Sequence, residues 1–280
     1  MRRGTGGTFT YPARRPPPRP PVILLLSDLH LGRGTRADAL AAERDAVALL
    51  RAHEEALVGG GALVLAGDVF HEFIEYRHLV PKGGARLTGL LADWADRGAE
   101  VHYVTGNRDP WHLDYFASEI GVQVARRCTL EAFGRRIAVA HGDAEAEPGR
   151  RSGLGRAVAR ARWAARLYRN ALPGDGGFAF ARWASRTFGT DGVPDPAVAT
   201  ALSAAAHRQL AATDADVVVF GHSHQEALET TPDGTYINPG YWFGSRTWAR
   251  ITADGPALLR WADGAAHPVS LEPVAVPPSR

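Results

Sequence analysis

Residues 22–32 read VILLLSDLHLG. Five apolar residues run from Val22 to Leu26, and polar Ser27, Asp28 and His30 follow at once. The same device recurs four times. ALVLA (62–66) precedes Gly67-Asp68, VHYVT (101–105) precedes Gly106-Asn107-Arg108-Asp109, RIAVA (136–140) precedes His141-Gly142-Asp143, and DVVVF (216–220) precedes Gly221-His222-Ser223-His224. Short runs rich in Val, Ile and Leu and bounded by Gly predict buried strands. Apolar residues at nearly every position predict a sheet covered on both faces. Helical periodicity fills the gaps, with Leu40, Val47, Leu50 and Leu57 in 37–58 and Leu87, Leu90, Leu91 and Trp94 in 85–97. Strand alternating with helix argues for an α/β fold.

Outward from these blocks the rhythm changes twice. Residues 150–213 carry no strand-and-ligand unit but three candidate helices, at about 153–171, 178–188 and 196–212. The expectation is a helical cap inserted into a core formed by 22–149 and 214–280. From Thr235 onward, Asp-Gly pairs at 233–234, 254–255 and 263–264 are hairpin signals and predict a second, partly antiparallel sheet. Residues 1–21, MRRGTGGTFTYPARRPPPRPP, cannot bury apolar area and read as a disordered or polyproline-like tail.

Composition excludes several classes. With 280 residues, 45% of them hydrophobic and 22% charged, the chain is no disordered, collagenous or coiled-coil protein and is long enough to bury a large core. No purely apolar run is longer than Val22–Leu26, far below the roughly 20 residues of a membrane span. No apolar stretch follows the basic start, so no secretory leader is expected. The single Cys128 leaves no internal disulfide and no thiolate metal site, and suits a reducing, cytoplasmic compartment. A net charge of +2 gives no argument for nucleic acid as a partner. The basic residues are 31 Arg and one Lys. We read that bias, with the abundant Ala and Gly, as a GC-rich coding sequence, so Arg counts toward function only where it clusters.

The polar residues at the strand ends form one set: Asp28, His30, Asp68, Asn107, His141, His222 and His224. Ligands of open α/β sheets gather outside the carboxyl ends of the strands. Four imidazoles, two carboxylates and one amide oxygen suit manganese, iron(II), zinc or magnesium, and seven ligands are about right for two ions sharing a carboxylate. Gly67, Gly106, Gly142 and Gly221 each abut a ligand, where a side chain would crowd the site. His53, His71, His78, His102, His112, His207 and His267 follow no such pattern and read as ordinary core or surface histidines.

Together the blocks Asp28-x-His30, Gly67-Asp68, Gly106-Asn107, His141 and Gly221-His222-x-His224 resemble those of the calcineurin-like metallophosphoesterases. Within that superfamily the chain is most similar to the UDP-2,3-diacylglucosamine pyrophosphohydrolases of lipid A synthesis. The resemblance implies a four-layer α/β/β/α sandwich and two divalent ions, Mn²⁺ first among them. Asp28, His30 and His224 would hold one ion, Asn107, His141 and His222 the other, and Asp68 would bridge them. Two such ions roughly 3.5–4 Å apart activate water and clamp the attacking and leaving oxygens. The implied reaction cleaves a UDP-linked acylated sugar to UMP and an acyl-sugar 1-phosphate by direct attack of hydroxide on phosphorus. The alternatives are a soluble phosphatase or phosphodiesterase acting on nucleotides or phosphoproteins, and a catalytically silent, metal-retaining scaffold.

Asn107, Arg108 and Asp109 supply the candidate catalytic side chains. Many members of the superfamily have His where this chain has Arg108. Arg cannot give up a proton near neutral pH but can neutralise a phosphoryl oxygen. That suits a pyrophosphate, whose leaving phosphate needs no general acid. The alternative is a structural ion pair with Asp109. Between Arg150 and Arg169 stand seven Arg and no acidic residue, interleaved with Leu154, Val158, Trp163, Leu167 and Tyr168 and followed by Phe178, Phe180, Trp183 and Phe188. Such a cap could lie on an anionic membrane surface or cover an acyl chain, which makes Trp163, Phe180 and Trp183 candidate substrate-binding residues. An ordinary amphipathic helix would read similarly.

Overall fold

In the computed structural model, residues 21–146, 162–188 and 196–271 are described. The tail expected at 1–21 and the first part of the helix expected at 153–171 lie almost entirely outside them. Two sheets stack face to face. The first has the order β12-β11-β10-β1-β2-β3-β4 and the second β5-β6-β7-β9-β8.

The first sheet is built on β1 (Ile23–Leu26), β2 (Ala62–Ala66), β3 (Glu100–Val104) and β4 (Gln123–Ala125), all parallel. Successive side chains of a strand face opposite sides. Leu24 and Leu26 accordingly join the cluster under the helices, with Leu49, Leu90 and Trp94, while Ile23 and Leu25 join the cluster between the sheets, with Ile137, Val217 and Ile251. The continuous apolarity of VILLL thus has a simple cause: both faces of the strand are covered.

The outer layer over this sheet is α1 (Arg36–Ala52), α2 (Glu54–Val58), α3 (Ala85–Asp96) and α4 (Tyr115–Ser118). Thr35 and Asp38 form a capping box that starts α1. The helix expected over 37–58 breaks at His53, whose Nδ1 lies 2.9 Å from the Leu49 carbonyl and whose ring stands edge-on to Trp248. Buried Glu43 accepts the Arg86 and Leu87 amides at the start of α3, supplying the cap that Gly84 lacks.

The second sheet contains β5 (Arg127–Ala132), β6 (Arg135–Ala140), β7 (Val217–Val219), β8 (Ala227–Thr231) and β9 (Gly234–Asn238). β6, β7 and β9 are parallel, and β5 and β8 add antiparallel edges. The cap segment carries α5 (Arg162–Ala171), α6 (Gly174–Phe188) and α7 (Pro196–Ala212). The short helix α8 (Trp242–Ser245) precedes β10 (Thr247–Thr252), β11 (Gly255–Ala262) and β12 (Ala265–Pro268).

Two expectations need correction. The second, partly antiparallel sheet is present and β8 and β9 complete it, but the strands after them do not join it: β10 pairs antiparallel with β1 and extends the first. Furthermore, α7 lies inside the segment expected to be cap but packs on the second sheet. Leu202, Ala206 and Leu210 are buried against Val218, Phe220 and Tyr236. It forms the fourth layer of the sandwich, so the protruding part of the insertion ends before it.

Candidate metal centre

The five blocks converge because the carboxyl ends of β1, β2 and β3 in one sheet and of β6 and β7 in the other open on the same rim. The backbone ladder continues beyond the strands: Asp28 donates to Gly67, His30 to Asp68 and Leu31 to Val69. Gly221 donates to His141 in the second sheet.

Asp28, His30, Asp68, His141 and His224 are all buried. Two groups of acceptor-capable atoms, Asp28/His30/His224 and Asp28/Asp68/His141, each lie within 4.8 Å of one another. The Nε2 atoms of His30 and His224 are 3.1 Å apart, and both approach Asp28 Oδ1, at 3.5 and 3.1 Å. His141 Nε2 lies 3.2 Å from Asn107 Oδ1 and 3.6 Å from Asp68 Oδ2. The His222 ring stands edge-to-face with His141 at 5.1 Å. Asp68 faces both sides, being also 3.8 Å from His30 Nε2, and Asp28 shares that intermediate place.

The donor chemistry fits divalent cations. His141 Nδ1 lies 3.1 Å from the Ala66 carbonyl, which can only accept, so this nitrogen carries a proton, and a divalent ion in place of the second proton would take the Nε2 lone pair beside the amide and carboxylate oxygens. Burial lowers the His141 pKa, but the Asp68 and Asp28 charges outweigh it and hold the imidazole at about 9, so the local field favours positive charge. Burial opposes ionisation of Asp28, yet the histidines around it hold its carboxyl well below the usual range. His222 is depressed to about 4 by burial and the His141 charge.

Backbone strain marks the same residues. Eight non-glycine residues among those described have positive φ, and five are Asp28 (54°), His30 (42°), Asp68 (49°), His222 (67°) and His224 (58°). Such conformations cost on the order of 1–3 kcal/mol each and persist where surrounding structure over-determines them. Three of the glycines beside the ligands are required by close approach. A Cβ on Gly67 would strike the His141 ring, one on Gly106 the Asp68 carboxylate, and one on Gly221 Ser27 Oγ. Gly142 differs, because its open side faces Leu202 of α7 and Phe220, so it serves packing rather than the donor cluster.

Arg108 donates its backbone N–H to Asp68 Oδ1 at 2.8 Å, which ties the third block to the second. Asp109 has another occupation. Its buried carboxylate accepts the Val69 and Phe70 amides, the Tyr103 hydroxyl and the Gly106 amide, at 2.9, 3.4, 2.7 and 2.7 Å. It braces the loops that carry Asp68 and Asn107. Phe180 and Trp183 sit exposed on α6 with ring centroids 5.6 Å apart. Trp163 lies on α5, with its side chain outside those described.

Some neighbours of the site were not singled out from the sequence. His71 approaches His30. Tyr241 lies flat on His224, with ring centroids 4.2 Å apart and planes 2° off parallel, and the Arg33 guanidinium carbon lies 6.0 Å from the Tyr241 ring centroid. Buried Asn238 donates to the Gly221 carbonyl and Ser223 Oγ and so holds the Gly-His-x-His loop. The nearest signal for the last two was the Asn238-Pro239-Gly240 turn directly after a strand.

A family model described as calcineurin-like phosphoesterase matches residues 21–226. The chain belongs to the calcineurin-like phosphoesterase family. Its donor cluster is suited to divalent metal ions. A UDP-2,3-diacylglucosamine hydrolase of Porphyromonas gingivalis is 39% identical over 132 residues, a match that spans 46% of this chain and 49% of that protein. The chain thus covers about half the length of that relative. One of Ralstonia nicotianae, with the same name, is 28% identical over 230 residues, covering 76% of this chain and 80% of its own. The solved phosphoesterase Yfce from E. coli aligns at 16% identity and a TM-score of 0.45, over 88% of this chain and 96% of its own.

Proposed function

We propose that this chain hydrolyses the pyrophosphate of a UDP-linked, acylated sugar, releasing UMP and an acyl-sugar 1-phosphate. Asp28, His30 and His224 would hold one divalent ion, Asn107, His141 and His222 a second, and Asp68 would be shared between them. Mn²⁺ is our first choice for both. When bound, such ions lower the pKa of water and neutralise charge on phosphoryl oxygens. Arg108 adds a fixed positive charge for a phosphoryl oxygen and donates no proton. None is needed, because the leaving group is itself a phosphate with a second pKa near 6. Asp109 is given a positioning role through the loops it braces.

One observation carries the acylated substrate. Seven large apolar side chains are exposed among the described residues, and six of them gather on the cap and the loops beneath it. Leu167, Phe180 and Trp183 lie on α5 and α6, Leu79 and Val80 on the loop after Asp68, and Leu113 on the loop after Arg108. Trp111 stacks edge-on to Tyr168 of α5, and Arg169 donates to the Trp111 carbonyl, so the cap is tethered to the arginine-bearing loop. An apolar surface joined to a diphosphate site suits a ligand with acyl chains at one end. No helix among the described residues is long and apolar enough to cross a membrane. Exposed Arg166 beside these apolar residues supports peripheral contact with an anionic surface on the cytoplasmic side.

Product analysis tests the reading. With UDP-2,3-diacylglucosamine and Mn²⁺, the products should be UMP and the acyl-sugar 1-phosphate, and chelation should stop the reaction. Release of UDP, or turnover of nucleotides and phosphopeptides with none of the acylated substrate, would overturn it.

A further inference from the structure

His71 is placed beside the donor cluster by backbone register. Leu31 and Phe70 pair as an isolated parallel bridge, and the His71 amide donates to the Leu31 carbonyl at 3.0 Å. The loops after β1 and β2 therefore run together, and the Nδ1 atoms of His71 and His30 come within 3.4 Å, with the rings edge-to-face at 5.4 Å. The other nitrogen of His30, Nε2, is turned into the cluster beside His224 Nε2 and Asp28 Oδ1.

A neutral imidazole has one N–H and one lone pair. For His30 Nε2 to offer its lone pair to a cation, the proton must sit on Nδ1, and a buried N–H there needs an acceptor. His141 meets the same requirement through the Ala66 carbonyl. At His30 the atom in that position is Nδ1 of His71. We infer that His71 is a positioning residue whose unprotonated Nδ1 accepts the His30 Nδ1–H and holds His30 in the tautomer that presents Nε2 to a metal ion. This rests on the metal-centre reading above. Such partners typically change metal affinity by about 10- to 100-fold.

Two substitutions separate the acceptor from the ring. Asn carries Oδ1 on Cγ, where His carries Nδ1, so His71→Asn keeps an acceptor in place. His71→Leu puts a methyl group there with no lone pair. Mn²⁺ uptake by the full-length apoprotein, followed by electron paramagnetic resonance, reads the result without any substrate. The wild type should take up Mn²⁺ in two steps. His71→Leu should weaken one step by about 10- to 100-fold and leave the other within about threefold. His71→Asn should keep both steps within about threefold of wild type. The inference is overturned if Asn weakens binding as much as Leu, if Leu moves neither step, or if both steps move together. A wild-type protein that binds no Mn²⁺ would sink the metal-centre reading itself, and this inference with it.

Discussion

The donor cluster and the cap meet on the same loops but are built by opposite rules. In the cluster, side chains are buried, backbone angles are strained, and glycines are demanded by contact. Strain of that kind survives only where two sheets, a brace such as Asp109 and a cross-strand ladder fix the chain together. On α5 and α6, by contrast, large apolar side chains face outward and touch mostly one another. A helix that used its apolar residues for folding would turn them inward, as α7 does further along the chain. The contrast fits the proposal that the rigid region carries the chemistry and the exposed one chooses the substrate.

The largest effect should come from the cluster. Asp68→Asn removes the carboxylate that faces both His30 and His141. It should lower turnover by roughly four orders of magnitude and reduce metal content at both positions together. Two metal ions per chain with unchanged turnover, measured by elemental analysis and assay of the same sample, would break the assignment. Arg108→Ala should cost roughly 10²- to 10³-fold, the size of one lost charge-stabilising contact. The loss should be similar across substrates of differing leaving-group basicity. A loss confined to basic leaving groups would place Arg108 on a proton path.

Stability sharpens the same comparison. Leu202→Ala, on α7, empties a site in the core and should cost about 2–5 kcal/mol in urea unfolding. Phe180→Ala, on α6, should change stability by no more than about 0.5 kcal/mol while weakening use of the acylated substrate. Equal destabilisation by the two would mean that α6 belongs to the core.

The sequence made the cluster legible because the ligand blocks follow short, largely apolar strands. Asp28 after VILLL and His222 after DVVVF could be placed on one rim without knowing the topology. Placement of β10 beside β1 was not legible, because Asp-Gly turns define hairpins but not the sheet they join. Nor could α7 be told from the cap helices: its Ala-rich face buries Leu202, Ala206 and Leu210, and only the sheet opposite gives that face a meaning. His71 was read as an ordinary histidine because its relation to His30 runs through the register of two loops, which no spacing within either loop reveals. Tyr241 escaped notice for the same reason, since it reaches His224 from the end of another strand.

The division between chemistry and choice is tested most directly by excising the cap. Residues 150–190 are replaced with a short Gly-Ser linker, sparing α7 and the layer it forms. Hydrolysis of bis-p-nitrophenyl phosphate and of UDP-2,3-diacylglucosamine is then compared in protein shown to be folded and metal-loaded. The account predicts that the acylated substrate loses at least about 100-fold more kcat/KM than the small diester, the scale of a few lost apolar contacts. Equal loss on both substrates would contradict it and would make the cap a support of the active site.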